Sequence, residues 1–243
     1  MVERRPRMTS RESRRSRVQS PAGAPTEADA SRWISVGKAE ILGAMLGDKR
    51  RFAIRRRYEV KCGKDQSRYL RGSLEISLGN DLNWGRYLSR LLNNVYGISG
   101  SIYRSKREWI LEVSSMRVVL DLSKYFSLEW KAKTWRVPKV FFQAPAEIRG
   151  ALLRGYFDAE GYVQVSPRRI EIHASNRDGL SDTRTLLGLL GISSKIYTMR
   201  TGRSWKLHIP AGSLPKFKTS VGFSIARKQR ALETIVRPAL ADS

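Results

Sequence analysis

Leu153-Arg154-Gly155-Tyr156-Phe157-Asp158-Ala159-Glu160-Gly161 reads as the last turns of a helix that close on a carboxylate. A second stretch, Ile41-Leu42-Gly43-Ala44-Met45-Leu46-Gly47-Asp48, reads the same way. When Gly43 is registered on Gly155, Asp48 falls opposite Glu160. Gly43 and Gly47 share one helix face, and Gly155 and Ala159 share the matching face of the other helix. Small residues at that spacing let two helix backbones approach closely. The pattern therefore predicts two paired helices that deliver Asp48 and Glu160 side by side at their C-terminal ends.

Outward from these stretches the elements repeat in one order. The first half reads as a helix over Lys38 to Gly47, then an alternating strand over Arg51 to Lys61. Phe52, Ile54, Tyr58 and Val60 take one face of that strand, and Arg51, Arg55, Arg57 and Lys61 the other. Leu74, Ile76 and Leu78 mark a second strand, and Asn80-Asp81 caps a helix to about Val95. Ile102-Tyr103 and Trp109 to Val113 read as a hairpin, and Met116 to Tyr125 as a further helix. The second half runs from a helix over Glu147 to Ala159 through Val163 and Val165, then Ile170-Glu171-Ile172, then an Asn176 cap and a helix to Leu190. Leu74-Glu75-Ile76 parallels Ile170-Glu171-Ile172. Gly97-Ile98-Ser99 parallels Gly191-Ile192-Ser193, and Trp109 parallels Trp205. The offset between halves shortens after the first helix, as insertions around Cys62 to Arg71 would require. The expected architecture is α+β: a pseudo-two-fold duplication of αββαββα halves over residues 34–140 and 141–235. Residues 1–31, with seven Arg in the first twenty and a Pro-Ala-Gly-Ala-Pro linker, read as a disordered basic tail.

Composition narrows the partner. The 243 residues hold 46 Lys and Arg against 22 Asp and Glu, a formal charge of +24. Such an imbalance favours a polyanion, and nucleic acid is the usual one. No apolar run approaches the roughly 20 residues that cross a bilayer. One cysteine excludes a disulfide framework and a cysteine zinc site, and fits a reducing compartment, the cytoplasm of an archaeal or bacterial cell. Two histidines, His173 and His208, cannot build a multi-histidine zinc cage.

A carboxylate at a helix C-terminus is locally unfavourable, because that end already carries partial negative charge. Two such carboxylates side by side repel each other as well. The arrangement becomes reasonable if oxygen-ligated divalent cations, Mg²⁺ or Mn²⁺, neutralise it. Metal at a scissile phosphate would activate water and stabilise the leaving oxygen. Taken singly, an acidic residue at a helix end is usually structural; the matched pair carries the metal reading. Asp158 reads as facing solvent or capping locally.

These segments, the capped helices after an Ile-Glu-Ile-type strand and the Gly-Ile-Ser-Ser turn closely resemble LAGLIDADG homing endonucleases of the single-chain, two-motif, intron-encoded type. Arg136-Val137-Pro138 leading into Glu147-Ile148-Arg149, and Val221-Gly222-Phe223 followed by Lys228, belong to the same resemblance. It implies a monomer whose saddle-shaped antiparallel sheets lie along the DNA major groove, with helices packed behind. It also implies a long asymmetric double-stranded target, and Asp48 and Glu160 as the catalytic, metal-binding pair. Two positions depart from the family pattern. Lys49 stands where Gly is usual, and Leu78-Gly79 and Ala174-Ser175 stand where Gln or Lys is frequent.

Side chains on the open sheet faces are then the expected DNA contacts: Arg51, Arg55 and Arg57, with Tyr162, Gln164, Arg169, His173, Lys206 and His208. Arg takes guanine bidentately and Gln takes adenine. Trp109 and Trp205 read as core. The alternative function is a catalytically decayed member that binds nucleic acid, as an intron RNA maturase or a DNA-binding regulator. An intein remnant is disfavoured by the absence of a nucleophile at the start and of a terminal His-Asn.

Overall fold

Helix α1 (Val36–Asp48) begins where the Ser35 hydroxyl accepts a hydrogen bond from the Lys38 amide at 3.2 Å. The cap satisfies one of the amides that a helix N-terminus leaves unpaired. From Ala39 to Leu46 every residue of α1 is buried, so this is a core helix with no solvent face. The computed structural model describes residues 34–60, 66–128, 133–200 and 202–236. The basic tail expected over residues 1–31, and Cys62, lie outside the described residues.

Strands β1 (Lys49–Val60) and β2 (Gln66–Ser77) follow as an antiparallel hairpin. Helix α2 (Leu82–Tyr96) is capped by Asp81, whose carboxylate accepts from the Trp84 amide at 3.0 Å; Asn80 lies in the turn before it. The helix stops at Gly97, whose φ of 66° is left-handed backbone that costs glycine little. Strands β3 (Ser101–Ser105) and β4 (Glu108–Val113) and helix α3 (Met116–Leu122) complete the first half.

A connecting segment reaches the second half through the Arg136 guanidinium, which donates to both Asp182 carboxylate oxygens at 2.7 and 2.8 Å. The Val137 amide adds a third bond to the same carboxylate at 3.0 Å. Then come α4 (Val140–Gln143), α5 (Ala146–Glu160), β5 (Gly161–Gln164) and β6 (Arg169–Ala174). Val165 falls beyond the end of β5 and is exposed. Asn176 caps α6 (Arg177–Leu189) by accepting from the Gly179 amide at 3.1 Å. Strands β7 (Lys195–Thr198) and β8 (Trp205–Pro210), a short 3₁₀ turn, α7 (Leu214–Ser220) and α8 (Ala226–Val236) end the described chain.

The two four-stranded sheets have the orders β1-β2-β4-β3 and β5-β6-β8-β7, the same order twice. The offset read from the sequence arises at the first hairpin: β1 and β2 each span 12 residues, where β5 and β6 span 4 and 6. Alternation sends Leu74, Ile76, Leu111 and Val113 of the first sheet, and Ile170, Ile172, Leu207 and Ile209 of the second, into one core with α1 and α5. Burying each such side chain contributes about 1.5–3 kcal/mol. Trp109 and Trp205 are partly buried against that core. The opposite faces of both sheets carry the polar residues of the alternation.

Candidate active site and nucleic-acid face

The site begins with the missing side chains of α1 and α5. A Cβ added at Gly43 would overlap the Leu152 carbonyl oxygen and stand 2.9 Å from the Tyr156 amide nitrogen. A Cβ at Gly155 would overlap the Glu40 carbonyl oxygen and stand 2.7 Å from the Ala44 amide nitrogen. One turn further, a Cβ at Gly47 would clash with the Ala159 methyl and reach within 2.9 Å of Glu160 Cγ. The helix backbones thus touch through Gly43, Gly155 and Gly47 against Ala159, and they end together at Asp48 and Glu160. An ion pair, Arg154 Nη1 to Glu40 Oε2 at 3.1 Å, ties the same two helices.

Both terminal carboxyls are partly buried, and both are held toward their protonated forms. Burial raises Asp48 to about 6, with Glu108 adding to the rise and Lys228 opposing it. Burial raises Glu160 to about 7, with the Asp48 charge pushing the same way and Lys228 opposing. Two oxygen-donor groups that burial and mutual repulsion make costly to ionise form a donor set suited to a divalent cation. Among the described residues no group of three or more His, Cys, Asp or Glu converges. Mg²⁺ bound by one or two carboxylates keeps waters and substrate oxygens as its remaining ligands, so a two-carboxylate set fits it.

Beneath the pair lies Lys228 on α8, only 7% exposed. Its ammonium donates to the carbonyl oxygens of Phe157 at 3.2 Å and Asp158 at 2.5 Å, at the C-terminal end of α5. Burial pulls it down to about 8, with Asp158, Asp48 and Glu160 opposing the fall. Asp158 completes the clasp from the other side: its carboxylate accepts from the Ser224 and Ile225 amides at 3.0 and 3.2 Å, and from the Ser224 hydroxyl. The solvent-facing reading of Asp158 is therefore corrected. It is 1% exposed, and it caps the entry to α8, a distant segment, instead of its own turn. Lys49 raises no strain where the family favours Gly: its φ of −65° and ψ of 121° are extended backbone, as are the −74° and 139° of Gly161.

The nine expected DNA contacts distribute over the open faces of the two sheets. Arg51 and Arg55 lie on β1, with Arg51 bonded to Glu75 and Arg55 exposed. Arg57 lies further along β1, and its side chain is outside the described ones. Tyr162 is 62% exposed. Gln164, Arg169, His173 and Lys206 surround Glu171, and His208 leans against Tyr197 with ring centroids 6.0 Å apart. The Leu78-Gly79 and Ala174-Ser175 positions present no Gln or Lys to the pair; Leu78 is buried and Gly79 turns the chain with φ 53°.

The sequence attaches no role to Lys228, and it marks Glu75 and Glu171 only as matched strand positions of the repeat. Sequence alternation signals that Glu171 faces away from the core. It carries no signal that neighbours will enclose it.

Residues 147–222 match the family described as LAGLIDADG-like domain. The fold is that of solved homing endonucleases. I-DmoI in complex with DNA and Ca superposes with a TM-score of 0.59 at 16% identity, covering 82% of this chain and 97% of that one. I-WcaI bound to its DNA recognition sequence superposes at 0.56 with 12% identity, covering 84% and 91%. In sequence, the chain is 31% identical over 171 residues to a probable translation initiation factor IF-2 of Thermococcus kodakarensis, covering 68% of this chain and 14% of that protein. It is 26% identical over 211 residues to a DNA polymerase of Thermococcus litoralis, covering 82% of this chain and 12% of the polymerase. The chain thus spans about a seventh or less of these curated relatives.

Proposed function

The chain belongs to the LAGLIDADG family, and from that premise we propose that it is a site-specific endonuclease cutting both strands of duplex DNA with a divalent metal, Mg²⁺ or Mn²⁺. One observation carries the reading: two helices packed backbone to backbone bring Asp48 and Glu160, one from each half, together where each helix runs into the first strand of its sheet. Asp48 and Glu160 would hold the cation. When bound, it supplies Lewis-acid polarisation of the phosphate and a more acidic water.

The chain's own residues do the rest. Asp48 and Glu160 must both ionise to serve, and Lys228 lowers the cost of that ionisation while fixing the end of α5. The open faces, with Arg51, Arg55, Tyr162, Gln164, Arg169, His173, Lys206 and His208, would take phosphates and base edges. A long, asymmetric target fits halves whose first hairpins differ so much in length. Where a family member has lost cutting, binding alone remains; the retained carboxylate pair favours the nuclease here.

A similar segment lies within an initiation factor and DNA polymerases whose remaining length the chain does not cover. Against the sequence expectation that disfavours an intein remnant, that recurrence favours a module carried inside host proteins, the intein setting, over an intron-encoded one. Either setting leaves the chemistry of the site unchanged. The test is incubation of the protein with Mg²⁺ and a library of duplexes, including the uninterrupted host-gene junctions. Defined double-strand breaks support the nuclease, and tight sequence-selective binding without breaks supports the decayed binder.

A further inference from the structure

A surface built to meet DNA has no evident electrostatic reason to hold a carboxylate at its centre, yet each sheet holds one at the same place. Glu75 lies in β2 and Glu171 in β6, the matched second strands, and both project on the face opposite the core residues that flank them. They are nevertheless 6% and 1% exposed. What buries Glu171 is a ring of the candidate DNA contacts themselves. Arg169 Nε stands at 2.8 Å, Lys206 Nζ at 3.2 Å and His173 Nε2 at 3.3 Å from its carboxylate oxygens, and Gln164 Nε2 donates at 3.2 Å. Gln164 Oε1 in turn accepts from Arg169 Nε at 2.5 Å, which fixes the amide's orientation. In the first sheet Glu75 pairs with Arg51. Directly across the ladder from Glu75, Glu112 holds Arg71 at 3.3 Å.

A carboxylate this enclosed cannot touch a base. Its influence must pass through the side chains it binds, in two ways. A cation already paired gains less from a phosphate, so each such pair reduces the sequence-independent part of binding. A guanidinium or amide locked in one orientation loses less freedom when it meets a base edge, and a wrong base cannot be accommodated by a swing of the side chain. On the reading of this face as DNA-binding, we infer that Glu171 and Glu75 are positioning residues for specificity. Glu171 holds Arg169, Lys206, His173 and Gln164 in a fixed array and Glu75 holds Arg51, giving discrimination between bases at the expense of non-specific affinity.

The test uses the full chain as wild type, Glu171→Gln and Glu75→Gln, with EDTA present so that no cutting occurs. Each protein selects sequences from a randomised duplex library, and its affinity for an unselected random duplex is followed as salt is raised. Each Gln variant should bind the random duplex about 3–10-fold more tightly at low salt, with a salt slope steeper by about one. Discrimination should fall about tenfold at adjacent base pairs. Glu171→Gln should blur one side of the selected site and Glu75→Gln the other, a division that mere loss of stability cannot produce. Should Glu171→Gln fail to fold, Glu75→Gln carries the same test on its own side. Unchanged selected sequences and salt slopes in the folded variants would overturn the inference while leaving the DNA reading intact. A wild type that selects nothing and binds random duplex without salt dependence would overturn both.

Discussion

Gly43 has no side chain because the Leu152 carbonyl oxygen occupies the space its Cβ would need. Gly155 repeats the relationship against Glu40 from the other helix, so the two backbones are in contact over more than a turn. The positions of Asp48 and Glu160 relative to each other follow from that contact.

Gly43→Ala and Gly155→Ala should each destabilise by about 3 kcal/mol, since backbone atoms cannot rotate aside as an overpacked side chain can. Cutting should fall further than stability alone accounts for, because the carboxylates move apart. Gly188→Ala is the control: its Cβ meets nothing within 4 Å, and in α6 the change should stabilise by about 0.5–1 kcal/mol. Chemical denaturation of the three variants measures the difference.

The carboxylate pair should make the metal-free protein lose stability as pH rises. Asp48 and Glu160 have folded values raised to about 6 and 7 from ordinary values of 3.8 and 4.5. A raised carboxyl stabilises the fold fully below its unfolded value, and that stability is lost as pH climbs through the folded value. The window therefore runs from about pH 4 to pH 7. Asp48→Asn with Glu160→Gln should remove the loss and gain about 2–4 kcal/mol at pH 8 in EDTA, with little gain at pH 4. Thermal melts at both pH values check this, and equal gains at both would contradict it.

Lys228→Met keeps the length of a buried side chain and removes its charge. The end of α5 loses two hydrogen bonds to carbonyl oxygens, and the carboxylates lose the cation that opposes their protonation. Metal affinity or cutting should drop about 10–100-fold, the usual consequence of losing a group that orients a metal ligand. The pH at which cutting reaches half its plateau should rise, because Asp48 and Glu160 become harder to ionise. A fall in stability with an unmoved pH profile would mean that Lys228 is a packing element only.

The fold was legible because its two decisive signals are local. Gly43/Gly47 and Gly155/Ala159 reveal a close helix contact through spacing alone, and Leu74-Glu75-Ile76 and Ile170-Glu171-Ile172 reveal strands through alternation. The clasp of Asp158 and Lys228 was not legible, because it joins groups about seventy residues apart and uses backbone carbonyl oxygens on one side. An Asp in the last turn of a helix reads as a solvent group unless the loop that folds over it is known. Asn80 and Asp81 are both good caps, and only the observed turn assigns the role to Asp81. The enclosure of Glu171 depends on four neighbours from three strands, which no single stretch of sequence displays.

The shared site is tested most directly by a target duplex recovered from selection, incubated with Mg²⁺ and wild type, Asp48→Asn or Glu160→Gln, with binding and strand cleavage followed together. Wild type should break both strands, while each variant should bind the target within a few-fold of wild type and make no double-strand break. Double-strand cutting at the wild-type rate by either variant would rule out Asp48 and Glu160 as the shared metal-binding pair.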